Sequence, residues 1–77
     1  MDWKTTVKDP DEVKVFMALD NANYTWRTMS AIARQTGLSE ERVAGILAKY
    51  HQNLTRLSDV PSISGSALVG LIEKVGA

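Results

Sequence analysis

Apolar residues recur at helical spacing in three stretches of the chain, and each stretch begins at a residue type that caps helices. In the first stretch, Asp9 supplies an acceptor for unpaired backbone N–H groups, and Pro10 suits the first helical position. Glu12 stands where a capping box places its second member. A helix is predicted from Pro10 to residues 21–23. Its buried side is Val13, Val15, Phe16, Met17, Leu19 and Ala22, with Asp11, Lys14 and Ala18 outward.

Two further helices are separated by a tight turn. Thr28 is the predicted cap of a helix over residues 29–36, and Gly37 ends that helix because glycine readily adopts a left-handed conformation. Ser39 is the predicted cap of the next helix, which fades near residues 51–53. The inward positions of this last helix are spaced i, i+3, i+4 and i+7, and they are Val43, Ile46, Leu47 and Tyr50.

Extended segments follow a different pattern. Residues 24–27 are β-branched and aromatic, and they predict a short strand. Residues 54–60 and 67–75 predict two strands of a β-hairpin, joined by a turn over residues 61–66 that is rich in serine and contains proline and glycine. Residues 1–8 have no clear period: Trp3 and Val7 either pack onto the domain as a short arm or belong to a frayed terminus.

This order of elements resembles the winged helix-turn-helix family over residues 9–75. The motif positions that carry the resemblance are Ala33, Gly37, Leu38, Val43 and Ile46. The stretch WRTMSAIARQTGLSEERV is similar to winged-helix modules appended to bacterial multidomain proteins. The resemblance implies an α+β fold, a three-helix winged helix-turn-helix with a short strand and a C-terminal β-hairpin wing. That domain spans residues 9–77 and follows an N-terminal arm of residues 1–8.

The same patterns predict the core. A chain of this length buries only about 60% of the surface that it exposes when unfolded, so the core must be well patterned. Trp26 is expected to fill the space between the short strand and the hairpin, because a tryptophan buries a large area. The residues expected to be mostly buried are Phe16, Leu19, Trp26, Ile32, Leu38, Val43, Ile46, Leu47 and either Leu57 or Leu71.

Composition narrows the function classes. The 77 residues fit one domain, with 44% hydrophobic and 23% charged residues as in ordinary globular domains. The chain has no cysteine, one histidine (His51) and no glycine-rich phosphate loop, so we expect no enzyme, no metal site and no cofactor. The longest uncharged stretch, residues 60–72, contains proline and glycine, and the N-terminus lacks a signal-peptide pattern. We therefore expect no membrane span and a cytoplasmic protein.

The family resemblance implies DNA binding through the second helix of the motif. The net charge is zero, although residues 23–57 carry five basic residues against two acidic ones. The outward positions of that helix offer little to base edges, and they are Glu41, Ala44, Gly45, Ala48 and Gln52. We therefore expect weak binding to duplex DNA, mainly through its phosphates. The candidate contacts are Thr28, Arg34, Ser39, Arg42, Lys49, Arg56, Ser62 and Ser64.

A protein-interaction or dimerisation module is the alternative hypothesis, because a fold does not fix a function. Gly45 lies in the middle of a predicted helix, where glycine costs about 1 kcal/mol relative to alanine. Together with Ala48 it forms a small-residue patch that a partner can approach closely. The candidate residues on this hypothesis are Glu41, Gly45, Ala48 and, in the turn of the hairpin, Ile63.

Overall fold

Three helices of eight residues or more pack against a small antiparallel sheet in the computed structural model, which describes residues 3–21, 25–58, 65 and 67–75. The helices are α1 (Trp3–Thr6), α2 (Pro10–Leu19), α3 (Met29–Thr36), α4 (Glu40–Tyr50) and α5 (Ile72–Val75). The strands are β1 (Arg27–Thr28), β2 (Thr55–Leu57) and β3 (Leu68–Leu71). The α+β class expected from the sequence is confirmed at this level.

Side-chain caps start the three longer helices, as the sequence predicts. The Asp9 carboxylate accepts hydrogen bonds from the backbone N–H groups of Asp11 and Glu12. The hydroxyl oxygen of Thr28 accepts from the backbone N–H of Ala31, and that of Ser39 accepts from Arg42. Each cap satisfies N–H groups that have no partner within the helix, so these helix starts are fixed by local chemistry.

The predicted turn between α3 and α4 is also confirmed. Gly37 follows α3 with a φ of 77°, in the left-handed region, and its N–H donates to the carbonyl of Ala33. We expect Gly37→Ala to lower the free energy of unfolding by about 1–2 kcal/mol, because a left-handed backbone brings Cβ close to the carbonyl oxygen.

Gly45 is the matched control for this change. It lies inside α4, and no heavy atom outside the local helix backbone lies within 4 Å of where its Cβ would be. Gly45→Ala should therefore raise the free energy of unfolding by up to about 1 kcal/mol. Urea unfolding of the two variants measures both effects, and a Gly37→Ala variant as stable as the parent would contradict the assignment of the turn.

The sheet has the order β1-β3-β2, and both pairings are antiparallel. The two strands of the predicted hairpin therefore pair as expected, although they are shorter than residues 54–60 and 67–75. The predicted strand over residues 24–27 is displaced: Thr25 and Trp26 precede β1, and residue 24 lies outside the described residues. The sheet register pairs Arg27 with Val69 and Leu57 with Val69, so β3 is the central strand.

The prediction that the last strand runs to Val75 is wrong, because Ile72–Val75 is the helix α5. The N–H of Ile72 still donates to the carbonyl of Leu54, the residue directly before β2. The pairing of the two strands therefore ends at this hydrogen bond. Among the described residues, no strand extends beside residues 73–75. A helical turn needs no neighbouring strand, because its hydrogen bonds run to residues about four positions away along the chain.

Trp3 and Val7 belong to the core, so the described part of the N-terminal segment, from residue 3 onward, packs onto the domain. Trp3 is only 4% exposed and Val7 is equally buried. The Trp3 ring lies 5.5 Å from that of Phe16, and its Nε1–H donates to the Asp20 carboxylate at 3.2 Å. Ring packing and this hydrogen bond thus hold the short helix α1 against α2.

The buried side of α2 differs from the predicted one. Met17 is 61% exposed and Ala18 is buried, the reverse of the expectation. Helix α3 packs against α2, where a small side chain such as Ala18 permits close approach, whereas Met17 is largely exposed. The hydrophobic spacing alone gives no information on which neighbouring helix covers which part of α2.

Most of the predicted core is confirmed: Phe16, Leu19, Ile32, Val43, Ile46, Leu47 and Leu71 are buried. Leu38 is only half-buried, although it packs against the core. Trp26 is also half-buried and covers the sheet at Gly70, where an added Cβ would lie 2.9 Å from its Cε3. Of the two alternatives Leu57 and Leu71, Leu71 in the central strand is buried, whereas Leu57 at the end of β2 is 44% exposed.

Candidate interaction surface

The exposed face of α4 carries three of the residues proposed for protein interaction. Val43, Ile46, Leu47 and Tyr50 are buried, as their spacing predicts. This orientation leaves Glu41, Gly45 and Ala48 exposed on the helix. Ile63, the fourth candidate, lies outside the described residues. The exposed face is thus nearly flat beyond its first turn, because glycine and alanine project little beyond the helix backbone.

An apolar groove lies beside this face, between α4 and the sheet. It encloses about 270 Å³. We call it the α4–β2 groove, and its lining is Met29, Ala44, Leu47, Ala48, His51, Thr55, Leu57 and Val69. Among the described residues, no carboxylate, lysine or arginine lines it. A surface of this composition favours apolar groups over phosphates.

Leu57 connects the groove with a second depression. This outer depression encloses about 460 Å³ and is lined by His51, Gln52, Arg56, Leu57 and Ile72. Leu57 and Met17 are the only large apolar side chains that are exposed among the described residues. Leu57 lines both the groove and the outer depression, whereas Met17 lines two other depressions on α2, one beside Trp3 and one beside Gln35.

Two of the candidate phosphate contacts are paired with carboxylates of α2. The Arg42 guanidinium lies 3.9 Å from an Asp9 carboxylate oxygen and 3.7 Å from one of Asp11. The Lys49 ammonium donates to the Glu12 carboxylate at 2.9 Å. Such exposed ion pairs add little stability. They do place negative charge beside both cations, and that charge repels phosphates.

The remaining DNA candidates are distributed over several elements. Thr28 and Ser39 use their hydroxyl oxygens as helix caps, and Thr28 also shares a hydrogen bond with Ser30. Arg34 is exposed on α3, and Arg56 is half-buried in β2. Ser62 and Ser64 lie outside the described residues. The structure brings Arg42 and Lys49 together on one helix, next to the acidic start of α2.

Among the described residues, Glu12 is a buried carboxylate, although the sequence predicted it as the second member of a capping box. Instead of completing a capping box, its Oε1 accepts a hydrogen bond from the Tyr50 hydroxyl at 2.5 Å, and its Oε2 accepts from Lys49. The Tyr50 hydrogen bond lowers the pKa of Glu12, burial opposes this shift, and Lys49 lowers it further. The same carboxylate raises the pKa values of Tyr50 and Lys49. This cluster therefore joins the start of α2 to the end of α4.

The described residues contain no assembly suited to catalysis by a metal. No group of three histidine, aspartate or glutamate side chains among them can hold a metal ion. Every buried polar side-chain atom in this part of the chain has a hydrogen-bond partner. Within the same ranges, no helix has the length and apolar character needed to cross a bilayer.

Comparison of the chain with protein-family models, curated proteins and solved structures finds no match. Function is therefore inferred from the surface residues themselves. The sequence located the exposed face of α4 but missed Met29 and Leu57 as parts of a groove. The alternation of Thr55, Arg56 and Leu57 gives their faces on the strand, but it contains no signal that β2 is an edge.

Proposed function

We propose that the chain is a non-catalytic protein-interaction module built on a winged helix-turn-helix scaffold. An apolar segment of a partner protein docks in the α4–β2 groove, beside the small residues Gly45 and Ala48. The observation that carries this proposal is the apolar lining of the groove together with the 44% exposure of Leu57 at its margin. Apolar side chains that fill such pockets supply most of the energy of protein interfaces.

The order of elements supports the proposed scaffold. Helix α3, a left-handed Gly37 and helix α4 follow a helix and a short strand, and two antiparallel strands come next. A winged helix-turn-helix has this order, with β2 and β3 as its wing. The scaffold explains how α4 is presented on the surface but does not define what it contacts.

The electrostatics of α4 favour a protein partner over DNA. Glu40 and Glu41 are exposed in the first turn, where their negative charges stabilise the helix by interacting with the positive end of its dipole. Arg42 and Lys49 lie beside carboxylates of α2, and the exposed face between them carries Gly45 and Ala48. Binding to phosphates depends on cations that release counterions, and base readout depends on long polar side chains. This face is poor in both.

The test is a pair of titrations followed by NMR of the labelled domain. One ligand is a set of linear peptides selected on the domain from a displayed random library, and the other is random-sequence duplex DNA at low salt. We expect the peptides to shift the amide signals of the groove and the DNA to leave the spectrum unchanged. DNA shifts around Arg34 and Arg42 whose affinity falls steeply with salt would instead establish the DNA-binding function.

Leu57 and Met17 provide matched variants for this test, because both are large, apolar and exposed. Leu57→Glu should reduce peptide affinity at least about tenfold, which corresponds to 1.4 kcal/mol, whereas Met17→Glu should leave it unchanged. Substitutions at such exposed sites change stability by only about 0.5 kcal/mol, so both variants should fold. Peptides lost with Met17→Glu and retained with Leu57→Glu would place the binding surface on α2 and refute the groove.

A further inference from the structure

We infer that the partner segment docks as an extended strand, which pairs with the outer edge of β2 at Leu57 and directs successive side chains into the two depressions beside this residue. This inference rests on the proposed function and adds the conformation and chemistry of the occupant. It follows from the phase of the β2–β3 hydrogen bonds, from a segment of the chain that already contacts this edge, and from the placement of the depressions.

The hydrogen-bond phase of the sheet directs the backbone of Leu57 outward. The N–H of Ser58 donates to the Leu68 carbonyl at 2.8 Å, and the N–H of Ile72 donates to the Leu54 carbonyl at 2.9 Å. In an antiparallel pair, hydrogen-bonded and non-hydrogen-bonded residues alternate. Leu57 opposite Val69 is therefore a non-hydrogen-bonded position, and its N–H and C=O point away from β3. Within the described residues, no strand lies on that side.

The chain itself already uses one position of this edge. The N–H of Gln52 donates to the Thr55 carbonyl at 2.7 Å, and His51 forms a parallel bridge with Thr55. Thr55 has the same backbone phase as Leu57, two residues further along the strand. The segment after α4 thus pairs with Thr55 and leaves the outward N–H and C=O of Leu57 to a strand of the partner. That strand would continue the pairing along β2.

The two depressions meet at His51 and Leu57, which line both of them. Thr55 lines only the α4–β2 groove, and its neighbour Arg56 lines only the outer depression. Successive side chains of a strand point to opposite faces of a sheet. A strand paired with Leu57 therefore directs one side chain into the groove and the next into the outer depression. The side chains of a helix packed against α4 do not alternate in this way, so a helix is not expected to fill both depressions.

The linings indicate what those side chains are. The α4–β2 groove presents Met29, Leu47 and Val69, which select an aliphatic or aromatic group. Among the described residues, the outer depression presents the polar side chains of His51, Gln52 and Arg56 beside Ile72. A polar side chain at the adjacent position of the strand can hydrogen-bond with this lining. The occupant is an extended segment of another protein in which an apolar residue neighbours a polar one.

N-methylation of the selected peptides tests the strand. In an added strand only alternate N–H groups face β2, and Leu57 is the described position whose outward groups they can reach, so methylation of the peptide residue that faces Leu57 should weaken binding at least about tenfold, whereas methylation of either neighbour should not. Sensitivity without alternation, or helical peptide signals in the complex, would overturn the inference and leave the proposed function intact.

Two variants of Leu57 test the edge from the side of the domain. Both Leu57→Ala and Leu57→Pro truncate the side chain, but only proline also removes the outward N–H, and edge strands tolerate proline where that group faces outward. Peptide affinity should fall further with Leu57→Pro, with the fold of each variant checked by its amide spectrum. Equal affinities of the two variants would overturn the strand. A Leu57-dependent dimer of the domain would overturn it in favour of a second copy, and a library without Leu57-dependent peptides would refute both proposals.

Discussion

Replacing Ile46 by alanine should lower the free energy of unfolding by about 2–5 kcal/mol, because truncation of a buried aliphatic side chain leaves a cavity that the core refills only in part. Ile46 is 2% exposed and lies on the buried side of α4, between Val43 and Tyr50. Small domains have a total stability of about 5–15 kcal/mol. The variant should therefore unfold at a much lower urea concentration than the parent.

Met17→Ala is the matched control for this prediction, since it also truncates a large apolar side chain within a helix. Met17 is 61% exposed, so its loss should change stability by no more than about 0.5 kcal/mol. If Ile46→Ala fails to fold, Ile46→Val should still cost about 0.5–1.5 kcal/mol and remain measurable. An effect of Met17→Ala as large as that of Ile46→Ala would restore the buried side of α2 that the sequence pattern predicts.

The helices were predictable because their signals are local. Asp9, Thr28 and Ser39 each cap a helix through hydrogen bonds to backbone groups two or three residues ahead. Gly37 marks the end of α3 by its own backbone preference. None of these interactions depends on the rest of the fold. The start of each longer helix and the turn between α3 and α4 therefore follow from the sequence alone.

The errors lie where distant contacts decide. Glu12 has the spacing of a capping box, but its carboxylate is bonded to Lys49 and Tyr50, 37 and 38 residues further along the chain. Ala18 follows the outward spacing of α2, yet the approach of α3 buries it. Residues 72–75 have the composition of a strand and form a helix beyond the last strand pairing. A sequence pattern contains no information on these neighbours.

For the candidate surface, the sequence predicted the exposed face of α4 but not the groove beside it. The helical period places Glu41, Gly45 and Ala48 on the outward face of α4, and all three are exposed. The groove beside them also requires β2 to be an edge strand that leaves Leu57 uncovered. That property depends on the sheet order, which no local pattern defines.

Loss of either member of the Glu12–Tyr50 hydrogen bond should be the second large effect on stability. Tyr50→Phe leaves a buried carboxylate oxygen without its donor, and Glu12→Leu leaves the buried hydroxyl without its acceptor. Each change should lower the free energy of unfolding by about 1–3 kcal/mol. The double variant should lose less than the sum of the two, because replacing both partners by apolar groups can be nearly neutral. Additive losses in urea unfolding would show that the two side chains act independently.

The pH dependence of the same unfolding measurements identifies the ionised carboxylate as the source of the effect. The pKa of Glu12 is lowered by the Tyr50 hydroxyl and by Lys49, so the unfolded chain takes up this proton first as the pH falls. The stabilisation is complete above about pH 5 and is lost as the pH falls through the lowered pKa.

At alkaline pH, the Glu12 carboxylate raises the pKa of Tyr50. The stabilisation from the protonated Tyr50 hydroxyl therefore persists to about pH 9.5 and is lost as the pH rises through the raised pKa. Glu12→Leu should flatten both limbs of the profile, whereas Glu41→Gln, which neutralises an exposed carboxylate of α4, should leave them in place. A parent profile unchanged by Glu12→Leu would contradict this assignment.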